Sequence, residues 1–215
     1  LDVTVAKAWF QRYADVISEE KALLTRLDSA IGDGDHGANM ARGWKAVQEE
    51  LESFTGGLSD AFLLVSRTLI SKVGGASGPL YGTVFLRMSM ALKGKETIDE
   101  TDWSNLLQQG AEGIAQRGKV TGGEKTMYDV WSVLPQAAEE TAQQGEDELT
   151  LVTRLAQIAR EKADATQEMK ATKGRAAYLG DRSIGHKDPG AESTALLFDA
   201  LRSTLADKGG ADHEN

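Results

Sequence analysis

The chain has 215 residues, no cysteine, and a formal charge of −9 from 24 lysines and arginines against 33 aspartates and glutamates. That length suffices for one sizeable core and is short for two full domains. The composition excludes disulfides and thiolate metal sites, the acidic balance argues against direct nucleic-acid binding, and no apolar run approaches a membrane span.

No charged-then-apolar signal segment opens the sequence, so a cytoplasmic location is expected. The first residue is leucine, which leaves open both a trimmed start and a domain cut from a longer chain. Val5, Trp9, Tyr13, Val16, Leu24 and Leu27 then recur at three- and four-residue intervals and predict one long helix. The stretch AIGDGDHGANM, Ala30 to Met40, interrupts it. Met40, Trp44, Val47 and Leu51 form the next apolar stripe. Further helical periodicity spans about 59–73, 79–94, 101–117, 127–143 and 149–172, and a last helix at about 189–207 keeps Thr194, Leu197, Leu201 and Leu205 on one face. Alternating β-branched runs are scarce. The expectation is therefore an all-α fold of eight helices in one domain, residues 1–207, antiparallel where connections are short. The polar tail 208–215 is expected to be disordered.

The glycines cluster between these helices, in IGDGDHG (31–37), GGASG (74–78), RGKVTGG (117–123) and KGRAAYLGDRSIGHKDPG (173–190). A bundle needs about one glycine per helix end, so loops this rich suggest a backbone that approaches something closely. Asp28, Asp33 and Asp35 gather on the first of them. Oxygen-only anionic ligands select hard cations such as Mg²⁺, and three carboxylates suit Mg²⁺ that also binds water and phosphate oxygens. The same spacing also suits solvated aspartates at a helix end, and it does not match an EF-hand.

HGANM opens a helix, GGASG runs straight into Pro79, and Asp188 precedes Pro189 as a candidate cap. Each would direct free N–H groups and a positive helix end at an anion. Helix N-termini beside a cation cluster make a phosphate site, while Walker A, kinase-loop, H-E-x-x-H and G-x-S-x-G patterns are all missing. His36 could donate to a phosphate oxygen or fix an aspartate. Arg175 is the arginine best placed to reach a β- or γ-phosphate, against the ordinary alternative of a solvated arginine. Met127 fits either a base pocket or the core. His213 lies in the tail.

Four motifs in order carry a specific likeness. LDSAIGDGDHGANMARG, VGGASGPLYGT, RGKVTGGEKTMYDVW and KGRAAYLGDRSIGHKDPGAES together resemble the L subunit, or L domain, of dihydroxyacetone kinases, across most of the chain. The resemblance implies an eight-helix antiparallel barrel with a nucleotide, ADP or ATP, at one end. It implies that Asp28, Asp33 and Asp35 hold two Mg²⁺ ions bridging the phosphates. His36, Gly37, Ala38, Asn39, Ala76 and Ser77 would lie along the phosphates. Gly118 and Met127 would border adenine and ribose, with Arg175 and the turn Asp188, Pro189, Gly190 closing the site.

In that family the L part carries nucleotide and a K subunit holds dihydroxyacetone. A free L subunit keeps ADP as a coenzyme, recharged by a phosphohistidine on the M subunit of the phosphotransferase system. An L domain within a single chain uses ATP as substrate. A chain containing only the L part favours the first arrangement. A regulatory module that docks a transcription regulator according to nucleotide state, and a Mg²⁺-dependent phosphohydrolase, are the readings from other classes.

Overall fold

The computed structural model describes residues 1–211. The expected all-α class holds: these residues form ten α-helices and no strand, with one isolated β-bridge between Asp2 and Thr97. In order they are α1 (Val3–Glu19), α2 (Lys21–Ile31), α3 (His36–Glu52), α4 (Leu58–Lys72), α5 (Ser77–Ala91), α6 (Trp103–Gly118), α7 (Tyr128–Trp131), α8 (Leu134–Gln143), α9 (Glu148–Ala165) and α10 (Pro189–Ala211). Two 3₁₀ segments, Thr166–Glu168 and Arg175–Ser183, join the last two.

Ten replace the expected eight because two apolar stripes are broken. The first breaks at Glu20, whose backbone sits at φ −91°, ψ 8° while its N–H still bonds Val16 O at 2.8 Å. The hydrogen-bond ladder therefore persists while the direction changes, which is why the periodicity ran on unbroken. The stripe at 127–143 splits ahead of Pro135, in the first turn of α8. Proline lacks the N–H and clashes with the carbonyl four residues back, so α7 cannot continue into α8. The stripe at 149–172 ends early, at Ala165, and passes into the first 3₁₀ turn. The last helix runs on to Ala211, four residues beyond the expected boundary; 212–215, with His213, lie outside the described residues.

Eight of the helices pack in sequence, α1 on α3, α3 on α4, α4 on α5, α5 on α6, α6 on α8, α8 on α9 and α9 on α10, and α10 returns to α1. The contacts thus close on themselves, with α2 and α7 as additions. Inside lies an aromatic cluster centred on Phe10, which meets Phe62 edge-on at 5.1 Å between centroids and Phe85 at 5.6 Å. Trp44 stands against Tyr13 at 4.6 Å, also edge-on. Such pairs add about 0.5–1.5 kcal/mol beyond area burial. No helix of the described residues is long and apolar enough to cross a membrane.

The core makes a direct prediction. Phe10→Ala should cost about 3–5 kcal/mol in urea unfolding, from lost transfer energy and a cavity. Met90→Ala, at 68% exposed, should shift stability by less than about 0.5 kcal/mol.

Candidate functional site

The last turn of α2 carries Asp28. Its Oδ2 accepts the N–H of His36, the first residue of α3, at 2.9 Å, and so spans the loop between the two helices. Gly34 reverses that loop at φ +77°, a left-handed conformation that side chains disfavour. Gly37 lets α3 lie on α2: a Cβ there would meet the Lys21 carbonyl at 2.3 Å. The outcome is that one carboxylate oxygen each from Asp28, Asp33 and Asp35 lies within 4.8 Å of the other two.

These charges are held against their own repulsion. Burial, then the hydrogen bond and repulsion from Asp33, raises the Asp35 carboxyl above its usual range. Asp33 takes an ion pair from Arg175, Nη1 to Oδ2 at 2.7 Å. A donor set of three carboxylates and no sulfur or imidazole suits a hard divalent cation such as Mg²⁺, which needs oxygen ligands at about 2.0–2.1 Å.

The cluster borders a cavity of about 230 Å³. Asp28, Asp33, Asp35, His36, Ala76, Ser77, Met127, Arg175, Asp188, Pro189 and Gly190 all line it. α5 begins there with no side chain capping its first turn, so its N–H groups remain available to an anion, while the first N–H of α3 is already taken by Asp28. Pro79 is the third residue of α5 rather than the first, because the helix opens at Ser77. Asp188 does cap α10, its Oδ2 accepting the Ala191 N–H at 2.8 Å. Ala76, Leu80, Thr126, Met127, Lys173 and Gly174 also wall a second, more apolar cavity of about 310 Å³, with Pro79, Ile114, Gly118 and Val120. One continuous cleft is therefore acidic at one end and apolar at the other.

Gly37, Ala38 and Asn39 line neither cavity. Gly37 is sealed between helices, Ala38 is exposed, and the Asn39 side chain accepts from Arg42 at 2.7 Å. The His36 ring is held between two serines. Its Nδ1 faces Ser77 Oγ and its Nε2 faces Ser193 Oγ, both at 3.0 Å. Burial lowers its pKa to about 4, against the pull of Asp28, so the ring is neutral near pH 7.

Residues that sequence reasoning did not single out complete the site. Ser193 Oγ continues to Tyr81 OH at 2.7 Å, Tyr81 reaches Thr194 Oγ1 at 3.0 Å, and Trp131 Nε1 donates to Thr194 at 3.2 Å. Lys125, in the quoted motif RGKVTGGEKTM, is buried on the acidic cavity wall. A lysine in a glycine-rich loop reads as solvated, and only its burial betrays it.

Residues 30–203 match the DAK2 domain family. The chain is 48% identical over 200 residues to a Listeria innocua protein named PEP-dependent dihydroxyacetone kinase 1, ADP-binding subunit DhaL, covering 93% of this chain and 95% of that one. The chain belongs to the DhaL family of dihydroxyacetone kinase subunits. The Lactococcus lactis PTS-dependent dihydroxyacetone kinase, ADP-binding subunit DhaL, is 46% identical over 207 residues, 96% of this chain and 98% of its own length.

This DhaL-family chain, a kinase component, also resembles part of longer proteins. Human triokinase/FMN cyclase is 34% identical over 85% of this chain, which covers 32% of that protein. The crystal structure of the dihydroxyacetone kinase from C. freundii in complex with AMP-PNP and Mg²⁺ shares the fold, with a TM-score of 0.73 at 21% identity, over 95% of this chain and 34% of that one.

Asp188 gives the DhaL cleft a pH signature. Burial raises its carboxyl from 3.8 to about 7, opposed by the Ala191 N–H and Lys125 and aided by Asp129 and Asp28. Between those values the folded chain keeps a proton that the unfolded chain has lost, so this group's contribution to stability falls as pH rises through that window and is level above it. Urea unfolding of wild type and Asp188→Asn at several pH values between about 4.5 and 7.5 should show the variant gaining on wild type as pH rises. Parallel curves would mean an ordinary carboxylate.

Proposed function

We propose that this chain is the nucleotide-carrying subunit of a dihydroxyacetone kinase, passing a phosphoryl group from Mg²⁺-bound nucleotide to dihydroxyacetone held on a K subunit. The observation that carries this reading is the two-ended cleft: three carboxylates and the uncapped N-terminus of α5 at one end, an apolar slot at the other. A nucleoside di- or triphosphate has the same polarity, with an apolar base, anionic phosphates and a companion cation.

Asp28, Asp33 and Asp35 would hold two Mg²⁺ ions, whose chemistry is to neutralise charge on the phosphate oxygens. The first-turn N–H groups of α5 and Ser77 Oγ would donate to those oxygens. Leu80, Ile114, Val120 and Met127 would cover the base, beside Gly118. Arg175, paired with Asp33 in this structure, would exchange that carboxylate for a phosphate oxygen, so that its bidentate fork follows the transferred group. Transfer of this kind needs positioning and charge cancellation more than covalent help. No residue of the cleft need act as base toward the sugar; that role falls to K.

The relatives covered almost end to end by this chain are named PEP- or PTS-dependent. Those names support the reading that ADP is a held coenzyme, recharged by a phosphohistidine on the M subunit, in the cytoplasm. Residues 1–207 form the single unit that carries it.

Denaturing fresh protein and separating the released nucleotide is the direct test. Near-stoichiometric ADP that survives desalting is the expected result; an empty site that exchanges ATP quickly would instead make nucleotide a substrate. Asp33→Asn should weaken Mg²⁺-dependent ADP binding in calorimetry by tenfold or more, about 1.4 kcal/mol at the least, with helical content unchanged by circular dichroism. Unaltered affinity would refute the metal assignment. Arg175→Ala should lower turnover with the K subunit while leaving the unfolding midpoint near that of wild type, since the side chain is 68% exposed.

A further inference from the structure

Lys125 has no part in the roles assigned above. It is 1% exposed, and its backbone sits at φ +65°, where side chains are seldom found. Burying an ammonium is costly unless its donors are satisfied, and a methionine of similar length would fill the space without that cost. The charge therefore calls for a reason beyond packing.

The reason lies in what it bonds. Lys125 Nζ donates to the Thr166 carbonyl at 2.6 Å and also to the His186 carbonyl. Those two carbonyls stand at the two ends of segment 167–185, which carries Arg175. Two backbone bonds, Gly185 N–H to Gln167 O at 2.7 Å and Thr172 N–H to Glu124 O at 3.3 Å, and the Asp188 N–H to Thr166 Oγ1 bond at 3.0 Å close the same neck. Beyond the neck, Ala171 N–H to Ser183 Oγ at 2.9 Å and an exposed Lys170–Asp181 ion pair link the two arms, and the tip is thinly held. Within Arg175–Ser183 only Ser183 is buried, and the pairing of Arg175 with Asp33 is a single exposed contact. One ammonium, with three diverging donors on a flexible stem, joins both ends at once.

We propose that Lys125 is a positioning residue whose ammonium staples the neck of segment 167–185 and so keeps Arg175 over the carboxylate cluster and Asp188 at the cavity wall. The staple itself is a property of the free chain. Its consequence for phosphoryl transfer rests on the nucleotide reading above.

Hydrogen exchange on nucleotide-stripped protein tests the staple without that reading. Lys125→Met should speed exchange in 170–186 by tenfold or more while α1, α3, α4 and α5 stay protected as in wild type, and Lys125→Arg should restore part of the protection. Unchanged exchange in 170–186 would overturn the proposal, as would uniform acceleration through the whole chain. Should Lys125→Met fail to fold, the wild type still decides: ¹⁵N spectra of its lysine ammonium groups should show one slowly exchanging Nζ that is absent from Lys125→Arg, and rapid exchange at every lysine would refute the staple. In turnover with the K subunit, kcat of Lys125→Met should fall about tenfold with ADP affinity within about threefold of wild type. Loss of affinity with kcat intact would show a nucleotide contact in place of a positioning role. If wild type binds no ADP, the functional reading fails and the exchange result still stands or falls by itself.

Discussion

Everything at the working end of this molecule depends on keeping three carboxylates within 4.8 Å of one another. Like charges at that separation repel, and the chain meets the cost with several small devices. Asp28 gives one oxygen to the His36 N–H and so rests on the positive end of α3. Arg175 covers Asp33. Glycine at 34 and 37 permits a turn tight enough to bring the second helix back upon the first. Removing any one of these leaves the others carrying a larger repulsion.

The closed circuit of helices explains how such a loop is held still. α3, α5 and α10 all begin at the acidic cavity, and α2 ends there. Beneath it, the line from Ser77 through His36, Ser193, Tyr81 and Thr194 to Trp131 ties four helices together with hydrogen bonds. Apart from half-buried Ser77, these hydroxyls and the neutral imidazole are buried, so each bond is stronger than it would be in water and each unpaired group would cost more. The polar line thus fixes the register of the helix ends that the aromatic cluster around Phe10 fixes only loosely, since apolar contacts are non-directional.

How much of this was legible follows from sequence distance. Asp28, Asp33 and Asp35 stand within eight residues, and spacing alone brought them together as one candidate site. The helical class was equally plain, because apolar periodicity is local. The break at Glu20 was not, since the backbone ladder continues through it; the break ahead of Pro135 could have been read from the proline. Ser193 lies 157 residues from His36 and Lys125 lies 61 from His186. No periodicity reports such pairs, and a serine in a helix or a lysine among glycines looks ordinary until folding buries it. The expectation for Gly37 found the correct residue type for a different reason: close approach of two helices.

The division of labour between the two sides of the cleft then has a physical logic. The carboxylates, the helix ends and the apolar slot belong to α-helices and the short loops that join them around one core, where local opening costs most. Arg175 belongs to a 3₁₀ segment, a poorer hydrogen-bonded form used in short pieces, with exposed Tyr178 on it and only Ser183 of it buried. In the proposed reading, an arginine that releases Asp33 to follow a transferring group would need a support that yields at its tip. It also needs an anchored base, or the entropy of finding the group again would be lost at each turnover. A buried lysine at the neck and a free-standing tip satisfy both demands, and a segment packed along its whole length would satisfy only the second.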